Sequence, residues 1–354
     1  MHDLPPPGKV VIAQLSKGLR WLARQVESLD GPSAATSAAP DMEDVELHHA
    51  IHDVGASLLN RHGVLLQGCF ARFGSPLSDP RFPAALPATV RSHVLLMVTQ
   101  AHDSYGLAML GLREHASTSA LGPIRNVAET YVYAKWLLES PDEAVRLGRA
   151  YRLTMDAIDQ LVEQKRVLEK VAPGSDLTLQ VAPMLGTASE RMRSRLEGIA
   201  LEDGVTIDVK PRRSELLARH LSDSGGYMLY SLLSNAGVHP GAGRAQAFYA
   251  RPGRSVIDFD FKGLHHVRAY WVSVSIKLYL DLCDLTEPVL GWPGWSALSE
   301  QIRNDLEPLA REAQQRYLGR IQQELSNAQT WADHPSPETE TTQPGGMSAD
   351  GSRS

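Results

Sequence analysis

Apolar residues recur at three- and four-residue steps through most of this chain, and that period constrains its fold more than any other feature. Leu47, Ile51 and Leu58, for example, mark one buried helix face. Their pattern predicts a helix over residues 45–73. Similar stripes predict further helices at 10–29, 89–140, 140–171, 187–199, 227–235, 264–285 and 295–330. The sequence therefore predicts an all-α protein, a helical bundle.

Proline and glycine predict where several of these helices begin and end. Pro123 suits the first turn of a new helix, so we expect the stretch 89–140 to break there. Ser140 is expected to cap the next helix, with Pro141 at its first position. Pro173 and Gly174 should end that helix near residue 171.

The chain divides into three predicted parts. Residues 1–44 form an N-terminal helix and a small, polar linker, and residues 45–330 form the bundle domain. The bundle contains an irregular insertion rich in Gly, Pro and Arg, with a brief strand expected at "SVIDFDF". Residues 331–354 have almost no apolar side chains, so a disordered C-terminal tail is expected.

Charge and cysteine content exclude several classes of protein. The chain has 35 basic and 41 acidic side chains, a net charge of -6, which argues against general DNA binding. Cys69 and Cys283 are far apart in sequence and form no C-x-x-C, so neither a disulfide framework nor a thiolate metal site is predicted. Neither a signal core nor a membrane span is recognisable, which favours a cytoplasmic protein without a membrane partner.

The strongest candidate site within a predicted helix is "GPIRNVAETYVYAKWLL". Arg125 and Glu129 are four residues apart on a largely apolar helix, so they are neighbours on one face. Burying such a pair is costly unless the two charges meet, which favours a structural ion pair. The functional alternative makes Arg125 a ligand-binding group for an anion and Glu129 its orienting group or a proton carrier.

A second candidate lies at the end of the predicted helix 227–235. Tyr230 and Ser234 lie on one face of it, and His239 follows in a His-Pro-Gly turn. Asn235, Gly237 and Pro240 also suit an ordinary helix end followed by a turn. In the functional alternative, the helix dipole favours a charged His239, which would act as a catalytic base or bind phosphate near Ser234.

The insertion "GRAQAFYARPGR" adds a third candidate. Arg244 and Arg251 lie near Phe248 and Tyr249, a combination that could neutralise phosphate and stack on a nucleotide base. Ion pairs with acidic residues of the chain are the alternative role for these arginines. Gly241 and Gly243 do not follow a strand or open a βα unit, so no nucleotide-cofactor signature is present, and no cofactor is predicted.

Taken together, the residues Arg125, Glu129, Tyr230, Ser234 and His239 resemble the pattern of a bacterial family of helical proteins of unknown function, over roughly residues 90–285. That family is similar to HEPN domains, helical bundles that include RNA-cleaving toxins and defence proteins. The resemblance implies an RNase-like site with a polar residue and a histidine near a helix end. The sequence departs from the HEPN signature Arg-x(4 to 6)-His, because no arginine precedes His239 at those positions.

Three further patterns contain histidine. Arg213 and His220 match the HEPN spacing formally, but their surroundings favour a solvated basic helix surface. His48 and His52 are one helical turn apart, as two ligands of one metal ion would be, and no further ligands can be named. His265, His266 and Arg268 begin an apolar helix and could line a cleft with His239.

The sequence therefore favours a helical binding or interaction module in which Arg125, Glu129, Ser234 and His239 organise a polar pocket. Its alternatives are a HEPN-like RNase or nucleotide-binding effector and, third, a histidine-liganded metal enzyme. Catalysis would fall to His239, Ser234 and Glu129, and ligand binding to Arg125, Tyr230, Arg244 and Arg251. RNA or a nucleotide is the expected ligand class, and the first and last helices are compatible with a homodimer.

Overall fold

The protein is built from eight α-helices within the residues that a computed structural model describes, which are 42–73, 81, 89–113, 117–221 and 265–333. The helices are α1 (Met42–Phe73), α2 (Val90–Arg113), α3 (Ser117–Leu138), α4 (Glu143–Val171), α5 (Asp176–Glu202), α6 (Arg213–Leu221), α7 (His265–Leu290) and α8 (Trp295–Asp333). No strand occurs in these ranges. The predicted all-α bundle is confirmed. The expected N-terminal helix, the insertion with its strand, and the tail beyond residue 333 lie outside the described residues.

Helix α7 is the centre of the bundle. It packs against α1, α2, α3 and α8. Trp271, Ile276, Tyr279 and Cys283 are all buried along it, in one continuous core shared with those helices. A helix with apolar side chains on most of its circumference has to be surrounded, which is why the most apolar segment of the sequence became the central helix.

Helices α1 and α2 run in opposite directions and approach closely. His52 of α1 lies beside Met109 of α2, and the Tyr105 hydroxyl donates to the Gly55 carbonyl at 3.0 Å. A Cβ at Gly55 would lie 2.5 Å from the terminal methyl of Met109 and 2.9 Å from the Tyr105 hydroxyl, so a larger residue there would displace both side-chain ends. The antiparallel arrangement brings the first turns of α1 and the last turn of α2 to the same end of the bundle.

Helices α4 and α5 form a hairpin on the side of this core. Their apolar contact centres on Tyr151, Ile158, Leu196 and Ile199. The hairpin is attached near the first turns of α2, where His93 and Thr154 are hydrogen-bonded at 2.9 Å. Residues 159–191, which we name the arm, lie beyond this attachment and contribute no residue to the described core clusters.

Several predicted helix boundaries are wrong. The helix expected at 187–199 begins at Asp176, and α6 lies outside the helices that the apolar stripes predicted. The break expected at Pro123 is absent, since α3 begins at Ser117 and runs through that proline. Leu121, Ile124 and Val127 are buried around Pro123, and their packing outweighs the missing backbone hydrogen bond. The expected cap Ser140 is also displaced, because the Asp142 carboxylate accepts from the Ala144 amide and starts α4 two residues later.

Candidate functional site

Arg125 and Glu129, predicted to be neighbours on one helix, form an ion pair on α3. The Arg125 Nε donates to Glu129 Oε1 at 2.7 Å, and both side chains are largely buried. A third residue joins them, since Arg213 of α6 lies 3.3 Å from the same carboxylate oxygen. Glu129 therefore bridges two arginines from different helices. This arrangement suits a structural connection between α3 and α6, and the functional roles of Arg125 and Glu129 stay predictions.

The other predicted site residues lie outside the described part of the chain. These residues are Tyr230, Ser234, His239, Arg244 and Arg251. Whether they meet the ion pair of α3 is accordingly a prediction still open to test.

Helix α6 packs on α3 through both its leucines and its charges. Leu216 and Leu217 are buried against α3, while Arg219 and His220 approach Glu139 at 3.3 and 3.6 Å. The expectation of a solvated basic surface is thus wrong for His220, whose side chain is almost fully buried. Glu129 and Glu139 are separated by about 15 Å along α3. Arg213 and His220 consequently contact two distinct carboxylates and do not share one described site.

A different cluster forms where α1, α2 and α7 meet at one end of the bundle. His48 of α1 faces His265 of α7, with ring centroids 5.4 Å apart and the two Nδ1 atoms 3.4 Å apart. Arg268, one turn further along α7, is completely buried beside them. We call His48, His265 and Arg268 the His–Arg cluster. The sequence placed these residues on two separate helices but did not predict that they meet.

Arg268 connects the cluster to the end of α2. Its Nη1 donates to the carbonyl oxygens of Leu112 and Arg113 at 3.3 and 3.4 Å. The last carbonyls of a helix lack partners within the helix and carry its negative dipole end, so an arginine there is stabilised. Burial lowers the pKa of Arg268 from its usual value, although a guanidinium stays charged at neutral pH. Arg268 thereby fixes a positive charge beneath the histidines.

The hydrogen bonds of the cluster allow two placements of its protons. The Arg268 Nη2 lies 3.0 Å from His265 Nδ1 and 3.1 Å from His265 Nε2, and it can only donate. When it donates to Nε2, His265 donates from Nδ1 to His48 Nδ1, and the neutral His48 carries its proton on Nε2. When it donates to Nδ1, His48 donates from Nδ1 to His265, and His48 Nε2 is an acceptor. In both cases His48 Nε2 is buried and has no hydrogen-bond partner among the described residues.

Burial keeps His48 neutral. Desolvation, followed by the charge of Arg268, lowers the pKa of His48 to about 3. An imidazole with this pKa is uncharged at pH 7, so it serves as a neutral donor or acceptor. His48 is thus ready to bind a ligand without first losing a proton.

Two more histidines lead from the cluster to the surface. His49 is exposed, and its ring centroid lies 6.4 Å from that of His265. His52 is half-buried and donates from Nε2 to the Met109 carbonyl at 3.3 Å. Burial lowers the pKa of His52, and the nearby charge of Arg113 lowers it further, against an opposing contribution from Asp53. Arg113 is an exposed basic residue at this end of the bundle.

A second histidine group lies deeper between α1 and α7. The Tyr279 hydroxyl lies 2.6 Å from His62 Nδ1 and 2.8 Å from His102 Nδ1, and the Cys283 sulfur lies 3.6 Å from His62 Nε2. We call these four residues the His–Tyr network. Both ring nitrogens of His62 have partners, and the rings of Trp292 and Trp295 pack edge-on against it. This satisfied, enclosed arrangement indicates a structural role.

The described residues give the metal alternative no support. No group of three or more His, Cys, Asp or Glu within them is arranged to hold a metal ion. His48 and His52 do not share a described partner, because His52 Nε2 is directed to Met109 and His48 Nδ1 to His265. In the same ranges, no helix is both long and apolar enough to cross a membrane.

The chain was also compared with protein-family models, with curated proteins and with solved structures, and none of the three comparisons gave a match.

Proposed function

We propose that the protein is a binding module whose His–Arg cluster holds a phosphate-bearing ligand, either RNA or a nucleotide. The observation that carries this proposal is His48 Nε2, a polar atom in a side chain only 2% exposed that has no partner among the described residues. Leaving a buried donor unsatisfied costs roughly 1–3 kcal/mol. A ligand that accepts this hydrogen bond would recover that cost.

The surroundings of His48 favour an anionic acceptor. In the tautomer that has the His48 proton on Nε2, Arg268 polarises His265 and His265 in turn polarises His48, so the terminal N–H is a stronger donor than an isolated imidazole. His49 and Arg113 place further donors at the surface of the same end of the bundle. Phosphate oxygens accept several hydrogen bonds and carry the charge that arginine recognises. The expected cytoplasmic location would give the site access to RNA and nucleotides.

Cleavage of RNA is the second candidate function, and the approach of two imidazoles favours it. His48 and His265 lie 3.4 Å apart through their Nδ1 atoms. In the tautomer with its proton on Nδ1, the neutral His48 would take the proton of a 2′-hydroxyl on Nε2 as that oxygen attacks phosphorus, and the imidazolium formed would return the proton to the 5′-oxygen as the bond to it breaks. The HEPN-like alternative assigns such chemistry to His239, Ser234 and Glu129, which stay candidates for the same reaction.

Binding can be measured by the fluorescence anisotropy of a labelled single-stranded RNA, with ADP and inorganic phosphate as competitors. We expect His48→Gln to weaken binding at least about tenfold, the equivalent of one charge-assisted hydrogen bond. The matched control is His93→Gln, which changes another buried histidine at the far end of α2. Equal affinity of the wild type and His48→Gln would contradict the proposal.

The same RNA tests cleavage when it is incubated with the protein in the presence of a chelator and analysed on a gel. If the cluster cleaves RNA, fragments with cyclic phosphate ends appear with the wild type and are absent with His48→Gln. Cleavage that is lost in a His239 variant but persists in His48→Gln would place the active site in the insertion that contains His239. Binding without any cleavage would exclude the RNase function and leave ligand binding as the function of the protein.

A further inference from the structure

The arm exposes more large apolar side chains than its length explains. Six of them, between 43% and 76% exposed, lie within residues 162–184, and they are Val162, Val167, Val171, Leu177, Leu179 and Met184. Single exposed apolar residues are ordinary on protein surfaces, and these six do not share one side of the hairpin, because Val162 lies opposite Val167 and Val171 at 3.6 residues per turn. Val167 and Val171, four residues apart, form a common apolar surface on α4.

The arm cannot cover these side chains by itself. Its two helices meet through small residues, of which Thr178, Ala182 and Ser189 are buried. Gly186 contributes to the same close contact, since a Cβ there would lie 3.2 Å from the Lys165 Nζ. Two helices form a single layer, and an apolar face on one layer needs a second layer to be buried.

One face of α4 has the spacing of a helix-pairing surface. A shallow groove on the arm is lined by Gln160, Gln164, Val167 and Val171, among others. These four follow one another at steps of four, three and four residues, the repeat by which one helix packs along another. Leu168 also lines the groove and joins it to the small-residue contact, since its carbonyl accepts from the Thr178 hydroxyl at 3.3 Å.

The charges of the arm favour a second copy of this chain as the occupant. Within the arm, five acidic residues stand against four basic ones, so the arm lacks the excess of positive charge that RNA or an anionic lipid surface requires. Glu163 and Lys170 are seven residues apart and flank the groove on the same side. When two such helices pair in opposite directions, Glu163 of one faces Lys170 of the other, and the same pair occurs twice.

We propose that this face of α4 pairs with the same face of a second copy, antiparallel and related by a twofold axis between Gln164 and Val167. Val167 and Val171 supply the apolar contact, and the two Glu163–Lys170 pairs set the direction. Because only two valines occupy the centre of the contact, the dimer dissociates on dilution.

Sedimentation velocity over a wide range of protein concentrations tests this pairing in the full chain. We expect the wild type to shift from monomer to dimer as its concentration rises, and the Val167→Glu, Val171→Glu double variant to stay monomeric. The matched control is Leu201→Glu with Val209→Glu, because these two side chains are 83% and 82% exposed outside the arm. Circular dichroism verifies that each variant is folded.

A charge exchange tests the direction of pairing. Glu163→Lys should weaken the dimer, and combining it with Lys170→Glu should restore the dimer because each pair is rebuilt with its signs reversed. A wild type that is monomeric at every concentration overturns the proposal and leaves the arm to a different partner. A dimer that survives both valine substitutions overturns it as well, since the contact then lies elsewhere.

Discussion

Helix α1 carries two buried histidines that face α7, and their surroundings differ in a way that separates structure from function. His62 is enclosed by tryptophan rings and hydrogen-bonded through both nitrogens, to Tyr279 and Cys283. His48, about 21 Å away along the same helix, bonds through one nitrogen and leaves the other without a described partner. Burial lowers the pKa of each to about 3.

The comparison shows that a strongly lowered pKa does not by itself identify a site. Desolvation is the largest cause for both histidines. What distinguishes His48 is an unsatisfied buried nitrogen, the buried charge of Arg268 beside it, and exposed His49 leading to solvent. A functional reading of a buried histidine thus depends on its remaining hydrogen-bonding capacity more than on its pKa.

Replacing His62 and His48 by alanine, one at a time, should give the largest difference in the free energy of unfolding. His62→Ala creates a cavity among the tryptophans and removes one of the two partners of the Tyr279 hydroxyl, so we expect it to lower the free energy of unfolding by about 3–4 kcal/mol. His48→Ala also removes an unsatisfied group, so about 1 kcal/mol is expected. Urea denaturation followed by circular dichroism measures both. Similar losses for the two variants would contradict the division into a structural and a functional histidine.

The second-largest expected effect is the loss of stability at acidic pH. The folded-state pKa of about 3 lies below the ordinary 6.5, so the unfolded chain takes up the proton first as the pH falls. Stability is therefore complete above pH 6.5 and is lost toward pH 3, by about 3 kcal/mol for each histidine at pH 4. His48→Gln, which cannot titrate, should remove the contribution of His48 to this loss, about 3 kcal/mol at pH 4. An unchanged slope in that variant would show that His48 titrates normally in the folded protein.

Tyr279→Phe tests the His–Tyr network alone. The substitution preserves the ring, which stacks on Tyr105, but removes the hydroxyl between His62 and His102. We expect a loss of about 1–2 kcal/mol in the free energy of unfolding and no change in RNA affinity. Tyr105→Phe is a matched control, because its hydroxyl donates to a single carbonyl, that of Gly55. Weaker RNA binding by Tyr279→Phe would connect the network to the binding site.

His49→Ala should have the smallest effect on stability. The side chain is exposed, so the free energy of unfolding should change by less than about 0.5 kcal/mol. Its position beside His265 nevertheless predicts weaker binding of RNA. A variant with unchanged stability and unchanged affinity would exclude His49 from the path to the cluster.

Most of the fold could be predicted from the sequence because it depends on local signals. The stripe Leu47, Ile51 and Leu58 was sufficient to predict α1, and Pro173 with Gly174 predicted the end of α4, where Gly174 has a φ of 74°. The prediction failed at Pro123, where tertiary burial of Leu121 and Ile124 outweighs a local preference.

The candidate site was less predictable because it depends on contacts between distant helices. Arg125 and Glu129 could be paired from their spacing alone, as the 2.7 Å contact shows. Their third partner, Arg213, comes from a separate helix and gave no local signal. His48 and His265 are separated by more than 200 residues. Both histidines can be read from the sequence, but the contact between their side chains depends on how α1 and α7 pack.

The imidazole NMR signals of the two α1 histidines test the central claim most directly. Nitrogen-resolved spectra at neutral pH report which ring nitrogen carries the proton and whether a ligand contacts it. We predict that His48 carries its proton on Nε2 and that its signals shift when RNA or ADP is added, while those of His62 do not move. Signals of His48 that stay unchanged at saturating ligand would contradict the assignment of the His–Arg cluster as the binding site.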